Sequence, residues 1–425
     1  MEELIQPQLP ASSQHSDPGP ASQLLSLDAT LNLRQRSCLI DLDRQLHGHW
    51  GLGRNFVLAW SPRGREVLLL VVPHYRIADY AIATRSELPD DESQTFITRM
   101  LSGSRRFSER QLGNAARLLG TEPVRLALRQ PLVDSPNEAD LIDRLVRRYS
   151  VSYAAGRAVA LFDIVGFGLL SPFEQMTQLN SLSHSLNSAH SKMLDSAMHI
   201  DFARSSTGDG FYIWNREVGS SANTHLYHFM NLVLADNAIA RSKAQGRTVP
   251  ALRAAFHVGS CYEFFHAEGL NPTLYTDLVG EVTIDLARMV ERAMPGQVMV
   301  GEFAGCPTAP LPGQTDDVRM DSIDFVEQAQ ASLARLNGLE LSGDAIESIK
   351  CYLTGEARAD GTFTVRRLAV KDKHGLTRFA YNAKINIYRR AADPILLGIE
   401  DRLLRTSYQE LDTAGQMVRE RLPTR

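Results

Sequence analysis

Two aspartates lie in glycine-containing segments where carboxylates could bind a cation. Asp163 ends an apolar strand pattern and is followed by Ile164-Val165-Gly166-Phe167-Gly168, and Asp209 lies between two glycines in the segment TGDG. Taken alone, each aspartate is typical of a turn. If the two meet, carboxylates without a basic neighbour repel each other, and a hard divalent cation with oxygen ligands relieves that repulsion. The glycines after Asp163 also allow backbone N–H groups to face a phosphate at the start of the next helix.

The elements around the two aspartates decide whether they can meet. Hydrophobic periodicity predicts, in chain order, a strand, a helix, two strands, a helix and a strand, at Arg157–Phe162, Pro172–Lys192, Met198–Ala203, Phe211–Trp214, Asn223–Ala244 and Arg253–Val258. This β-α-β-β-α-β order is that of a ferredoxin-like unit, so the predicted fold class is α+β. In such a unit the end of the first strand lies beside the hairpin that joins the next two. We therefore expect Asp163 and Asp209 to meet at one edge of the sheet.

Composition excludes several classes of protein. Of 425 residues, 44% are hydrophobic and 22% charged, with a formal net charge of −4, which is the mixture of a globular chain without general affinity for nucleic acid. No apolar run approaches the roughly 20 residues of a membrane helix. The first residues, MEELIQPQLP, are acidic where a signal peptide is basic. Four separated cysteines without a CxxC pair are expected to be buried thiols, at positions Cys38, Cys261, Cys306 and Cys351. We expect a cytoplasmic protein.

Five motifs in one order carry a family resemblance. They are FDIVGFG, STGDGFYIW, AAFHVG, TDLVGEVTIDLARM and PGQVMVGEF, all within Arg157–Phe303. This stretch resembles the catalytic domain of class III nucleotide cyclases, which convert a nucleoside triphosphate into a 3′,5′-cyclic monophosphate and pyrophosphate. The resemblance implies a catalytic domain at 153–303. Around it we predict a mobile tail at 1–23, an N-terminal α/β region at 24–135, a helical connector at 136–152, and a C-terminal α+β extension at 304–425 that could act as a sensor.

The resemblance assigns roles to particular residues. Asp163 and Asp209, with the backbone carbonyl of Ile164, would hold two divalent ions, and Arg288 would stabilise charge on the α-phosphate. Further nucleotide contacts are implied at the start of the glycine-rich segment, at Phe162, Ile164, Val165, Gly166 and Phe167. Active sites of this family form across a head-to-tail dimer, so the resemblance implies a homodimer. We favour Mn²⁺ over Mg²⁺ because its coordination demands are looser.

Two departures from the family pattern concern ribose and base. Ile284 stands where the family has a ribose-binding asparagine, and Thr283 or Asp285 could replace it. Ser205, next to Arg204, stands where the family has a base-reading lysine, whereas the partner aspartate is retained as Asp277. Without the lysine that fits adenine N1, a purine is no longer the expected base. The chain is therefore similar to the bacterial pyrimidine cyclases of Pycsar antiphage systems, and we expect UTP to give cyclic UMP for a separate effector protein.

Other interpretations remain open at this point. The chain could be an adenylate cyclase, or a cyclase-homology domain that binds nucleotide or dimerises without turnover. A palm-type polymerase or diguanylate cyclase shares the topology, but TGDG is a poor substitute for its GGDEF turn. The segment Val370–Gly375 resembles the lysine-rich turn near the end of some cyclase domains, where a lysine reaches the triphosphate, or it is a charged hairpin turn.

Overall fold

The computed structural model describes residues 32–50, 54–84, 90–129, 136–196, 198–267, 274–304, 306–307, 319–356, 364–372 and 375–407. The predicted tail at 1–23 lies outside these residues. The described chain forms two compact units. One contains the residues up to Ser152 and those between Phe264 and Tyr275; the other contains Tyr153–Glu263 and the residues from Thr276 onward. None of the described helices combines the length and the apolar character that crossing a membrane requires.

The first unit is a small α/β structure. Its elements are α1 Leu33–Trp50, β1 Asn55–Arg63, β2 Glu66–Pro73, α2 His74–Thr84, α3 Asp90–Ser102, α4 Glu109–Leu118, β3 Val124–Ala127 and α5 Pro136–Arg147. The three strands form an antiparallel sheet in the order β1-β2-β3. α1 and α5 pack on one face of this sheet around a core that includes Trp50 and Trp60. Ser108 caps α4 through a capping box with Gln111.

The second unit contains the predicted ferredoxin-like order. Its first elements are β4 Val151–Ile164, α6 Pro172–Asp195, β5 Phe202–Ser206, β6 Gly210–Asn215, α7 Ser220–Lys243, β7 Leu252–Ala267, β8 Leu274–Val279, α8 Glu281–Arg292 and β9 Val298–Gly301. The neighbouring strands β7-β4-β6-β5 follow the arrangement of a ferredoxin-like sheet. β9 lies next to β7 and is parallel to it, so the sheet is mixed. The predicted fold class is confirmed.

One predicted strand is displaced. β5 begins at Phe202 instead of Met198: its residues pair with β6 from Phe202↔Asn215 to Ser206↔Phe211. Met198 is buried in the core without joining the ladder. An apolar pattern indicates which residues are buried, and here the buried residues begin before the strand, so the pattern places the start of the strand too early.

Helices cover both faces of the sheet. α6 and α7 pack on the face to which Phe162 and Ile164 contribute, and α8 packs on the face to which Val159 and Leu161 contribute. Side chains alternate along a strand, so Asp163 belongs to the face that α8 covers. The two apolar neighbours of Asp163 therefore anchor β4 in one core while its carboxylate projects from the other face.

The chain after residue 304 extends the same sheet. Its elements are β10 Cys306–Pro307, β11 Arg319–Met320, α9 Ser322–Ser332, β12 Glu340–Leu341, β13 Asp344–Leu353, β14 Arg367–Lys371, β15 Thr377–Arg389, β16 Ile395–Leu397 and α10 Asp401–Ser407. β15 pairs with β9 and also with β13, β14 and β16. β12 pairs with β13 at the edge of the sheet. The expected boundary between 303 and 304 thus falls inside the second unit. Long-range pairing of this kind leaves no local sign in the sequence.

Two smaller expectations meet different outcomes. Cys38, Cys261 and Cys351 are buried, as expected of thiols that act as small apolar side chains. The apolar repeat of Ile395, Leu396, Ile399, Leu403 and Leu404 predicts a packing or dimerising helix within 393–422. That prediction is wrong for Ile395–Leu397, which is a strand paired with β15. Edge pairing to β15 outweighs helical spacing over these three residues.

Candidate active site

Asp163 and Asp209 are in contact at the end of β4. Antiparallel pairing places Asp163 opposite Gly210, and the Ile164 N–H donates to the backbone carbonyl of Asp209 at 2.9 Å. Burial is the main reason that the pKa of Asp163 is raised; repulsion from Asp209 and a hydrogen bond with it raise the pKa further, against the opposing effect of Arg253. The structure therefore brings both predicted carboxylates to one point.

Glycines on both sides of Asp209 make this contact sterically possible. Gly208 has φ +97°, a conformation that side chains disfavour. A Cβ atom on Gly210 would lie 1.9 Å from the carbonyl oxygen of Phe162. Any larger residue at position 210 must therefore push β6 away from β4. The two glycines of TGDG therefore meet two different needs: the positive φ at Gly208 and the close approach of the backbone at Gly210.

The glycine-rich segment after Asp163 forms a tight turn. Gly166 has φ +69° and precedes a single 3₁₀ turn at Phe167–Leu169. The Ile164 N–H donates to Asp209 and the Val165 N–H donates to the Ala251 carbonyl, so neither faces a phosphate. Along this part of the described chain, the amides of Gly166, Phe167 and Gly168 have no backbone acceptor. These three amides, rather than those of Ile164 and Val165, can meet an anion.

The neighbouring positions are fixed by packing and capping. The Phe162 side chain is fully buried in the core, so only its backbone borders the site. Ser171 caps α6 by accepting from the Glu174 N–H, while the Glu174 side chain accepts from the Ser171 N–H. The helix thus begins at a defined residue just after the glycine-rich turn.

Arg253 is the site residue that sequence reasoning missed. Its Nε donates to Asp163 Oδ2 at 2.6 Å, and its Nη1 donates to the Ala293 carbonyl at 3.0 Å. The expectation of two carboxylates without a basic neighbour is therefore wrong. The signal was an arginine at the start of the apolar strand that pairs beside β4. Its side chain is 28% exposed, so it can also reach a bound anion.

Ser205 and Asp277, the predicted base-reading pair, are hydrogen-bonded. The Ser205 hydroxyl donates to Asp277 Oδ1 at 3.1 Å. Arg204, next in the chain, lies over the Phe211 ring at 5.2 Å and donates to the Ser183 hydroxyl. Arg204 is therefore held by other partners, and the pair at this position consists of a hydroxyl and a carboxylate.

Arg288 lies on α8 apart from the carboxylate pair. Its Nη1 donates to Glu291 at 2.9 Å, and it opposes the burial that raises the pKa of Tyr212. No contact between Arg288 and Asp163 or Asp209 occurs in the described part of the chain. Within a single chain the structure thus does not bring the predicted arginine to the predicted metal ligands.

The candidate replacements for the ribose-binding asparagine are occupied. Ile284 is 49% exposed, whereas the Thr283 hydroxyl donates to the Gly280 carbonyl. Asp285 is bound by Arg378 and by His257, whose Nε2 lies 3.3 Å from Asp285 Oδ2. Although burial raises the pKa of Asp285, these hydrogen bonds lower it overall. Neither side chain is open to a ribose.

The segment Val370–Gly375 lies at the end of a hairpin. Lys371 is the last residue of β14, and the Asp372 N–H donates to the Leu376 carbonyl across the turn. Residues 373 and 374 lie outside the described chain. Arg292 of α8 donates to the Lys371 carbonyl at 3.3 Å. What the structure describes here is a charged hairpin turn packed against α8.

The oxygen ligands at the carboxylate pair suit a small, hard cation. Across the described ranges no group of three or more His, Cys, Asp and Glu could hold a metal ion by itself. Mg²⁺ and similar ions are commonly held by one or two carboxylates, with substrate phosphates completing the coordination. Two contacting carboxylates beside three amides without backbone acceptors fit that pattern.

Comparison with known proteins gives structural neighbours only. No family model and no curated protein matches the chain. The catalytic core of a rhodopsin-guanylyl cyclase with converted specificity, in complex with ATPαS, aligns over 57% of this chain and 100% of that chain at 12% identity and TM-score 0.32. The guanylate cyclase domain of RhGC from Catenaria anguillulae, in complex with GTP, aligns over 55% and 97% at 14% identity and TM-score 0.33.

A bacterial protein is also among the neighbours. The adenylyl cyclase CyaB from P. aeruginosa aligns over 40% of this chain and 94% of that chain, at 13% identity and TM-score 0.24. Because these TM-scores are low, the fold assignment above rests on the order and pairing of the strands themselves. The case for a function likewise rests on the geometry of the site.

Proposed function

We propose that this chain is a nucleotide cyclase of class III type, which forms a 3′,5′-cyclic monophosphate and pyrophosphate from a nucleoside triphosphate. The observation that carries the proposal is the contact between Asp163 and Asp209 beside the amides of Gly166, Phe167 and Gly168. Carboxylates and amides together match a triphosphate with its metal ions. A bound cation would stabilise the buried Asp163 carboxylate and the partly buried Asp209 carboxylate beside it.

Asp163 and Asp209, with the Ile164 carbonyl, would hold two divalent ions. Bound ions of this kind supply Lewis acidity, which lowers the pKa of a ribose 3′-hydroxyl and neutralises phosphate charge. The amides after Gly166 orient the phosphates. Arg253, already beside Asp163, provides a cation for the same phosphates. The Phe162 and Ile164 side chains keep the strand fixed from the opposite face.

Arg288 is proposed to serve the active site of a second copy. Its planar guanidinium would stabilise charge growing on the α-phosphate. In its own chain it contacts Glu291 rather than the carboxylate pair. An arginine placed away from its own metal ligands is what a head-to-tail homodimer requires, with each site taking metal ligands from one chain and Arg288 from the other.

The base is proposed to be uracil. Uracil presents the N3–H donor between two carbonyl acceptors, so Asp277 can accept from N3–H while the Ser205 hydroxyl turns to donate to a neighbouring carbonyl. These two side chains already lie 3.1 Å apart, within reach of one base edge. The product, cyclic UMP, would be a signal for a separate effector protein in antiphage defence.

Two alternatives are tested together with this proposal. An adenylate cyclase would use Asp277 to accept from adenine N6. A domain that binds nucleotide without turnover is favoured by one observation, the exposed Ile284 where the family has a ribose-binding asparagine. Ile284 cannot hydrogen-bond a ribose, and Thr283 and Asp285 have other partners.

The test is product analysis with purified protein. ATP, GTP, CTP and UTP are incubated separately, with Mn²⁺ and with Mg²⁺, and the products are separated by chromatography. We expect cyclic UMP, more with Mn²⁺, and none from the Asp209→Asn variant. Cyclic AMP would replace the uridylate proposal by the adenylate alternative. Tight nucleotide binding without any cyclic product would favour the binding domain, and absence of both would refute the proposal.

A further inference from the structure

Asp285 on α8 has a partner on each carboxylate oxygen. Arg378 of β15 binds Oδ1 through its Nε, and His257 approaches Oδ2. Arg378 is itself held by a second carboxylate, because its Nη1 donates to Asp372 at 3.1 Å. The Asp372 side chain is only 3% exposed. The hairpin of β14 and β15 therefore delivers a fixed, doubly bonded arginine to α8.

Asp285 is also a helical neighbour of Arg288. Residues three apart on a helix lie close enough for an ion pair, and an acid that precedes a base stabilises the helix. Nevertheless Arg288 contacts Glu291, three residues further along, rather than Asp285. Glu291 is 61% exposed, so that contact is screened by solvent and easily given up. Asp285 is 23% exposed, and an ion pair with it would be harder to break.

We propose that Arg378 is a positioning residue for Arg288: by occupying the Asp285 carboxylate, it prevents Asp285 from capturing the guanidinium that the reaction needs. The inference rests on the proposed function in that Arg288 must be available to a nucleotide. It gives the chain beyond residue 304 a direct role in the site, since Arg378 and Asp372 both belong to it.

The first test measures turnover in three variants. Arg378→Met frees Oδ1 of Asp285 for Arg288, while His257 stays beside Oδ2. We expect kcat to fall about tenfold, less than the ~10²–10³ expected for losing Arg288 outright. KM for the nucleotide is expected to change less than about twofold, because the effect concerns transition-state charge. Asp285→Asn removes the competing charge and should retain activity. The double variant Asp285→Asn/Arg378→Met should be more active than Arg378→Met alone.

A matched control separates this from general damage. Arg389, on the same strand, makes a comparable ion pair with Asp344 at 2.6 Å, and among the described residues its other hydrogen-bond partner is the Asp393 carbonyl rather than α8. Arg389→Met should leave kcat unchanged within about twofold. Arg378→Lys keeps the charge but loses the guanidinium that bonds both Asp285 and Asp372, so it should recover only part of the activity. If the double variant is no more active than Arg378→Met, Arg378 acts only as structural support and the inference is overturned.

The second test does not depend on catalysis. Denaturant unfolding gives the coupling between Asp285→Asn and Arg288→Met through a double-mutant cycle, measured once in the wild-type chain and once in the Arg378→Met chain. We expect no coupling in the first and a stabilising coupling in the second. Equal coupling in both would overturn the inference. A wild-type chain that makes no cyclic nucleotide would refute the proposed function, while this cycle would still decide the role of Arg378.

Discussion

Replacing Gly210 by alanine perturbs the contact between the two carboxylates without removing either. A Cβ atom there would lie 1.9 Å from the Phe162 carbonyl oxygen, whereas real Cβ atoms essentially never come closer than 3.0 Å to such an atom. The end of β6 must therefore move from β4 by about 1 Å, and a shift of that size at a reacting centre can cost ~10² in rate. Asp209 is adjacent to Gly210 and would move with it, away from Asp163.

The assay combines turnover with metal dependence and stability. We expect Gly210→Ala to lower kcat by ~10² and to raise the Mn²⁺ concentration needed for half-maximal rate, because both ligands must still bind one pair of ions. Forced separation of two packed strands should also reduce the free energy of unfolding by about 1–3 kcal/mol. Gly113→Ala is the control: apart from the adjoining backbone of α4 itself, nothing lies within 4 Å of the added methyl group, and the change should leave activity unchanged.

One outcome would refute this reasoning. A Gly210→Ala chain that turns over at the wild-type rate with the same Mn²⁺ requirement would mean that the spacing of Asp163 and Asp209 is irrelevant to the reaction. The carboxylate pair would then be a structural feature of the hairpin.

Three further predictions follow from the site. Burial raises the pKa of Asp163, so the ionised side chain destabilises the fold at high pH. Asp163→Asn should therefore raise the melting temperature at pH 8, and this gain should shrink as the pH falls toward the ordinary aspartate pKa of about 4. No gain at any pH would contradict the burial argument. Mixing Asp163→Ala chains with Arg288→Ala chains should restore part of the turnover that each lacks alone, and failure to do so would indicate a site within one chain. Ser205→Lys should raise kcat/KM for ATP relative to UTP by about tenfold or more, because a long donor reaches adenine N1; an unchanged ratio would exclude position 205 from base selection.

Much of the second unit is predictable from local pattern. Alternating apolar segments give the ferredoxin-like order, and that topology alone brings the end of β4 to the hairpin containing Asp209. These features depend on short-range periodicity and on a topology with few alternatives. The pairing of Ser205 with Asp277, by contrast, is implied only by the resemblance to class III cyclases.

The features that were missed depend on distant pairing. Arg253 begins an apolar strand, and only the pairing of β7 beside β4 turns its side chain toward Asp163. Arg378 meets Asp285 although many residues and several elements separate them in the chain. The strands beyond residue 304 join the sheet through the pairing of β15 with β9. The proline- and glycine-rich composition that follows Pro307 instead suggests a domain boundary. Strand partners and ion pairs across elements carry no periodic signal.

Binding of Mn²⁺ measured by electron paramagnetic resonance tests the central claim most directly. The wild-type chain is titrated with Mn²⁺ in the presence of a 3′-deoxy nucleoside triphosphate, which cannot cyclise, and compared with Asp163→Asn and Asp209→Asn chains whose folding is verified by thermal melting. We predict two bound ions per active site in the wild type and loss of tight binding in either variant. Unchanged Mn²⁺ binding in both folded variants would contradict the claim that Asp163 and Asp209 hold the metal ions.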